Sequence, residues 1–431
     1  MNAWKKLKLE SKFAIYLDRS LSGNIPEDVR AELVKRGLVA DDGLNRVSFC
    51  GVIMVNGCVN VFMPRASEHS HLSESKQVSL AALTISAVEK YARDKNTRID
   101  LMDEPDGSHG LGQLSLIRKL LDDYRKYGIY SRRAVIRKIN NARPDWKRTI
   151  SRSIPFDDSK GVPVYLDIHC TQKKYFTDSV VSLIHAKVIK DLDRHFSWII
   201  SGCLGFIAPE LNDYSDPVGS LSHQVHLLKN ELQQIYSDRD IRLLRDLIYY
   251  LENFSGSDIN HFMAGVKDFH FAWEHMLRQV LDNKVDLNNQ LPAPAYMDVH
   301  GKTIIANEKS MRTDIILEDQ GRGVVAVVDA KYYAATSTEN APGWPDLVKQ
   351  FFYAKALKLI RPKSVVRNYF VFPNKHEFLL QARLRDRIST HDLFYDEEFA
   401  PINCVYVCPI EVLEYYTMGK KMSQLSKNLL S

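Results

Sequence analysis

This sequence predicts an α/β multidomain protein, on three observations. The chain has 431 residues, about three times the usual domain length of ~150, so more than one hydrophobic core is expected. Its 45% apolar and 26% charged residues match the globular average and argue against global disorder, collagen and low-complexity classes. Its periodicity is mixed over the first hundred residues and alternates helix with strand from Val266 onwards. The most apolar long window, Trp198 to Pro209, falls far short of the ~20 residues of a membrane span. The N-terminus is positive but lacks the apolar stretch of a secretory signal. Six scattered cysteines without a CxxC argue against a disulfide framework or a zinc knuckle. A soluble, cytoplasmic protein is expected.

Charge is unevenly distributed. Between Arg118 and Arg152 twelve Lys and Arg stand against three Asp, +9 over 35 residues, in a chain whose net charge is only +5. A basic face on an otherwise slightly acidic protein points to a polyanion, or else is a solvated helix surface.

In order, Val47–Phe62 (VSFCGVIMVNGCVNVF) reads as a hairpin, because Asn56-Gly57 supplies the two positive φ angles of a type I′ turn. Pro64 stops its second strand. Val78–Arg93 carries a helical apolar stripe, and Asp103–Gly112 is a turn-rich linker. Leu114–Tyr127 and Ser131–Asn140 read as short amphipathic helices. A third starts near Pro144-Asp145-Trp146, and Val162–His169 alternates like a strand. Three helices followed by a strand resemble a winged helix-turn-helix, in which Arg132, Arg133, Lys147, Arg148 and Arg152 face DNA. The expected segments are an N-terminal α/β recognition or partner-binding domain (1–110), a basic winged-helix-like segment (111–172), a helical connector (173–265) and a C-terminal domain (266–431).

The C-terminal segment carries the chemistry. In FHFAWEHMLRQVL (Phe269–Leu281), Glu274 borders an apolar helical face of Phe269, Trp273, Met276, Leu277 and Val280. Asp314 lies on the next strand, Met311–Leu317. After a hairpin-like EDQGRG, the run VVAVV marks a strand buried on both faces that ends Asp329-Ala330-Lys331. Residues two apart share a face, so Asp329 and Lys331 project together, and an antiparallel neighbour can bring Asp314 to that side. Carboxylates of this kind suit Mg²⁺. The lysine is expected to hold or deprotonate an attacking water. On the following helix, Asp346–Ile360, Gln350 lies on the apolar side. It is either a group near the metal or phosphate, or a buried amide bonded to backbone.

The series WE…RTDIIL…VVDAKYY…DLVKQFFYAKAL resembles the PD-(D/E)xK restriction-endonuclease-like core, in particular that of LlaJI-type restriction enzymes and, more loosely, the nuclease subunit McrC. The likeness is strong over 266–375 and weaker over the hairpin and over DWKRTI. It implies an Mg²⁺-dependent (or Mn²⁺-dependent) DNA endonuclease of a restriction or anti-phage defence system. Such an enzyme acts on double-stranded DNA as a homo- or hetero-oligomer and leaves a 5′-phosphate and a 3′-hydroxyl. Glu274, Asp314 and Asp329 inherit the metal, these with Lys331 the catalysis, and Gln350 the part of the helix glutamine. Thr313 departs from the usual proline before the first acid, and Asp329 from the commoner glutamate. A non-catalytic DNA-binding or assembly subunit with a degenerate nuclease fold, and a transposon or repair nuclease with the same core, are the alternatives. No GxxxxGK[ST] occurs, so the chain is not its own P-loop NTPase. The resemblance implies a separate NTPase subunit, for which the Asn56-Gly57 hairpin, if it projects, offers a contact. Cys404 and Cys408 read as core residues of an apolar strand, and His69 and His71 as a surface pair.

Overall fold

A computed structural model describes residues 13–41, 43–68, 70–95, 108–157, 160–176, 179–254, 262–388 and 393–431. His69 and the first half of the expected linker, 103–107, lie outside the described residues; its second half enters the strand Ser108–His109 and the start of the helix Leu111–Tyr127. The chain forms two compact units: residues 1–115, 201–204 and 259–431 make one, and 116–200 with 205–258 the other. The first and last of the four expected segments therefore share a unit.

The first unit contains two five-stranded sheets among the described residues. In the N-terminal sheet the strand order is Phe13–Leu17, Cys58–Met63, Phe49–Val55, Met263–Lys267 and Ser108–His109. The hairpin forms as predicted: Phe49–Val55 and Cys58–Met63 pair antiparallel, and Asn56 and Gly57 have φ of 52° and 71°. It does not project. Phe13–Leu17 flanks it in parallel on one side and Met263–Lys267 on the other, and every residue of Phe49–Val55 is buried. The apolar content that marks these strands places them mid-sheet, where both faces are covered. Gly51 and Gly265 oppose each other, and the Phe49 ring lies over both: a Cβ on Gly265 would come 2.4 Å from that ring. The expected helical stripe becomes the helix Glu74–Lys95.

The second sheet runs Ile315–Asp319, Val324–Ala330, Val365–Pro373, Ile402–Val407 and Gln381–Ala382. The first pair is antiparallel and the next two pairs are parallel. A parallel step needs a crossover, and the helix Trp344–Ile360 provides it. Tyr353, Ala354, Ala356 and Leu357 of that helix pack on Ile316, Val325 and Val327. The helix His270–Val280 buries Trp273, Met276 and Leu277.

In the second unit, Leu111–Tyr127 is helical as expected from Leu114 onwards, although its first residues belong to the first unit. Ser131–Asn140 is not. Residues Arg132–Ile139 form a strand that pairs antiparallel with His169–Phe176 along its whole length. Val135, Ile136 and Ile139 are β-branched and suit a pleated surface. An eight-residue partner then overrides the helical period. Trp146–Arg152 is a short helix capped by the Asp145 carboxylate, which accepts the Arg148 N–H at 3.1 Å. Of Val162–His169, only Pro163–Val164 and the first residue of His169–Phe176 are strand. One short helix on a three-stranded sheet replaces the three-helix winged arrangement. The connector is helical, as Val180–Ser201, Leu221–Leu232 and Asp238–Asn253. Among the described residues no helix is long and apolar enough to cross a membrane.

His185 anchors this unit. It is fully buried, and its Nδ1 accepts the Tyr130 N–H at 3.0 Å. Burial, helped by the Arg239 charge, pushes its imidazole down to about 3. The unfolded chain takes up a proton near pH 6.5 and the native one does not, so stability is complete above that pH and falls as pH drops towards 3. We expect a loss of about 2 kcal/mol between pH 7 and pH 5. Hydrogen exchange of Val180–Ser201 in the full chain measures it. The His185→Gln variant, whose side-chain oxygen can take the Tyr130 N–H, is expected to flatten the dependence.

Candidate active site

The antiparallel pair sets the geometry. Ile315 lies opposite Val328, and one further step of that register puts Asp314 opposite Asp329. Asp314 precedes the strand itself, in a bend. Its Oδ2 faces the Ala330 N–H at 3.4 Å. Thr313, where the family's proline is expected, has a local reason: its N–H and hydroxyl both donate to Asn288 Oδ1, at 2.9 and 3.1 Å. Proline has neither donor. The Tyr353 hydroxyl donates to the Arg312 carbonyl and pins the approach to Asp314 from the crossover helix.

Asp329 is 4% exposed. Burial, then the hydrogen bonding and charge of Asp314, hold its carboxyl well above the usual range, against the opposing pull of Lys331. Its Oδ2 lies 3.0 Å from Lys331 Nζ, an ion pair without a directed hydrogen bond. Lys331 Nζ also lies 2.8 Å from Asp346 Oδ1. Burial pulls the Lys331 ammonium down, but the Asp329 charge and the close contacts with Asp346 and Asp329 outweigh it and raise its pKa. A lysine held between two carboxylates stays protonated at neutral pH. As an ammonium it suits the first of its two expected roles, holding the attacking water.

Glu274 is half-buried on its helix. Burial and the Asp329 charge raise its carboxyl, opposed by Lys331, Lys349 and Lys95. Gln350 behaves differently from the acids. It is fully buried, and its amide nitrogen donates to the backbone carbonyls of Tyr369 at 3.1 Å and Val327 at 3.4 Å. It ties the crossover helix to the two parallel strands, the backbone-bonded amide of its two expected roles.

Two residues were missed. Asp346 holds Lys331 and also accepts the Tyr333 hydroxyl at 3.1 Å. An acid in a helix's first turn is so ordinary a partner for the helix dipole that sequence gives it no distinction. Burial pulls the Lys349 ammonium down, but Tyr353, then Asp329 and Asp314, raise it. Its one signal was its place in the Gln350 segment, three residues after Asp346.

Among the described residues no three His, Cys, Asp or Glu side chains already converge as a metal cage. Magnesium does not need one: it usually keeps several waters and takes one or two carboxylates. Asp314 and Asp329 supply hard oxygen donors, and Asp329 Oδ2 is a buried oxygen with no directed hydrogen bond. The donor set fits a hard divalent cation.

The predicted DNA-facing residues lie in the second unit and are only partly brought together. Arg132 is engaged, 3.5 Å from Glu231 and 3.3 Å from Gln234. Arg133 lies on the same strand, opposite Tyr175. Lys147 and Arg152 are exposed. Arg148 is crowded by Arg137 and Arg152, and these charges, after desolvation, lower its pKa. Arg137 is therefore a further member of the cluster. Trp146 and Ile150 on the same short helix are more than half exposed.

The chain belongs to the LlaJI restriction endonuclease family, whose pattern it matches over residues 49–384. Among individual proteins it is similar to the Type II restriction enzyme BsuMI component YdjA of Bacillus subtilis (strain 168), with 24% identity across 94% of this chain and 87% of that protein. A chain from the half-complex of Thermococcus gammatolerans McrB AAA+ hexamers with bound McrC aligns at 10% identity and a TM-score of 0.39, over 95% of this chain and 99% of that one.

Proposed function

We propose that this chain is the nuclease subunit of a restriction system, a metal-dependent PD-(D/E)xK endonuclease that hydrolyses double-stranded DNA. The observation that carries this reading is the meeting of Asp314, Asp329 and Lys331 at one end of a buried strand pair. Membership of a restriction endonuclease family supports it. Asp314 and Asp329 are the residues to hold Mg²⁺ or Mn²⁺, with Glu274 beside them. When bound, such a cation stabilises charge on the scissile phosphate and makes a water nucleophilic near neutral pH.

The chain's own groups do the rest. Lys331, kept as an ammonium by Asp329 and Asp346, donates to the attacking water or to a phosphate oxygen and stabilises the charge that develops there. Glu274, whose carboxyl is raised by burial and the Asp329 charge, accepts a proton from that water. Water adds to phosphorus, the bond to the 3′-oxygen breaks, and that oxygen takes a proton from solvent water, giving a 5′-phosphate and a 3′-hydroxyl. Gln350 keeps the strands in place.

The Arg137, Arg148 and Arg152 cluster, with Lys147, fits a phosphate backbone, since crowded guanidinium groups gain most from an anion. A separate NTPase partner in a hetero-oligomer completes the reading. The chain carries no P-loop, and its Bacillus relative is itself named a component. The buried Asn56-Gly57 hairpin strands are not the contact surface for that partner.

Asp329→Ala and Lys331→Ala are each expected to lower plasmid cleavage in Mg²⁺ by about 10²-fold or more, with folding and DNA binding retained. Cleavage assays with and without a co-expressed neighbouring NTPase, run beside thermal melts and gel shifts, check this. Near wild-type cutting by either variant would remove the site assignment.

For the basic cluster, log K for DNA is expected to fall with log salt at roughly −0.9 per neutralised phosphate. Changing Arg137, Arg148 and Arg152 together to Ala is expected to flatten that slope by about two to three units. An unchanged slope would assign the cluster to solvent or to a protein partner.

A further inference from the structure

Lys331 lies one residue beyond the strand Val324–Ala330. Its N–H still donates to the Val371 carbonyl at 3.0 Å, but the ladder ends there. A long, rotatable side chain leaving a strand end has many conformers, each costly to suppress. Attraction from Asp329 and Asp346 draws the ammonium inward without fixing the angle at which its stem leaves the backbone. Something else has to hold residue 332.

That hold comes from the N-terminal sheet. Tyr332 is buried, at 7% exposure. Its hydroxyl accepts the Arg65 backbone N–H at 2.8 Å, its carbonyl accepts Arg65 Nη1 at 3.0 Å, and the Arg65 guanidinium lies 5.7 Å over its ring. Arg65 follows the strand Cys58–Met63. At the same sheet end the Asp18 N–H donates to the Met63 carbonyl at 2.8 Å. The buried Asp18 carboxylate accepts the Phe49 N–H at 3.1 Å and feels the Tyr332 hydroxyl. On its other side the Tyr332 ring meets Phe269 at 5.5 Å and Trp273 at 6.2 Å, next to Glu274. Both ends of Tyr332, hydroxyl and carbonyl, are thus gripped by one residue of a different sheet.

We propose that Tyr332 is a positioning residue for Lys331, and that Arg65, backed by Asp18, makes the N-terminal sheet part of the scaffold that aims this ammonium between Asp329 and Asp346. The catalytic consequence rests on the nuclease reading; the positional link does not. The N-terminal sheet is then no detachable recognition module. A force on the edge strand Phe13–Leu17, or on Cys58–Met63 beside it, reaches the site through two hydrogen bonds. The competing account is a core tyrosine whose hydroxyl merely finds a partner.

The test uses the full chain with Arg65→Ala, Arg65→Lys and Tyr332→Phe, and two readouts. In single-turnover cleavage, Arg65→Ala and Tyr332→Phe are expected to lose about 10- to 100-fold in rate, the scale of a small misplacement, with DNA affinity unchanged and Arg65→Lys partly restored. Independently of activity, acylation of lysines by a succinimidyl ester, followed by mass spectrometry, is expected to speed up several-fold at Lys331 in those two variants and not at exposed Lys363. Unchanged acylation of Lys331 in both variants overturns the proposal, whatever the cleavage rates. Faster acylation in variants of a chain that cuts no DNA under any condition keeps the positional link and removes the nuclease reading instead.

Discussion

Two carboxylates set opposite each other at the buried end of an antiparallel strand pair repel, and a fold keeps them there only if the surrounding structure over-determines their positions. Asp314 and Asp329 are such a pair. The register that opposes Ile315 to Val328 also opposes the two acids, and a slip of one residue would turn every side chain of a fully buried strand to the wrong face. Val325, Ala326, Val327 and Val328 are each 0% exposed, so that slip is prohibitively costly. The core hydrophobic residues therefore hold the two acids together, and burial, then the hydrogen bonding and charge of Asp314, raise the Asp329 carboxyl.

Much of the neighbouring structure follows from containing this charge. Lys331 offsets it directly, and Asp346 then balances and orients Lys331. The crossover helix supplies Asp346 and Lys349 on one turn and Gln350 next to them. That helix is tied to the strands by Gln350 and to the Asp314 approach by Tyr353. Thr313 and Asn288 fix the bend from which Asp314 projects. On the proposed reading, this arrangement keeps the site ready for a divalent cation and a phosphodiester, each of which brings the complementary charge.

The parts of this account that were legible in the sequence are those with short-range causes. Asn56-Gly57 dictated its own turn, the VVAVV run its burial, and the D-x-K spacing the shared face of Asp329 and Lys331. Arg132–Ile139 was misread because its residues satisfy both periods, and the decision lay with a partner strand more than thirty residues away. The late completion of the N-terminal sheet was invisible for a related reason. Met263–Lys267 completes a sheet begun at Phe13, and no local pattern announces so distant a pairing. Asp346 and Arg137 were overlooked because their roles depend on neighbours in space, whereas in sequence each looks like an ordinary surface charge.

The central claim is that the apposed Asp314 and Asp329 carboxylates make one divalent-cation site. Calorimetric titration of the full chain with Mn²⁺, without DNA, tests it most directly, using Asp314→Asn and Asp329→Asn as comparisons and thermal melts to confirm folding. One saturable site per chain in the wild type, lost or strongly weakened in both variants, is the predicted result. Wild-type binding that survives both substitutions, or no binding to the wild type at all, would contradict it.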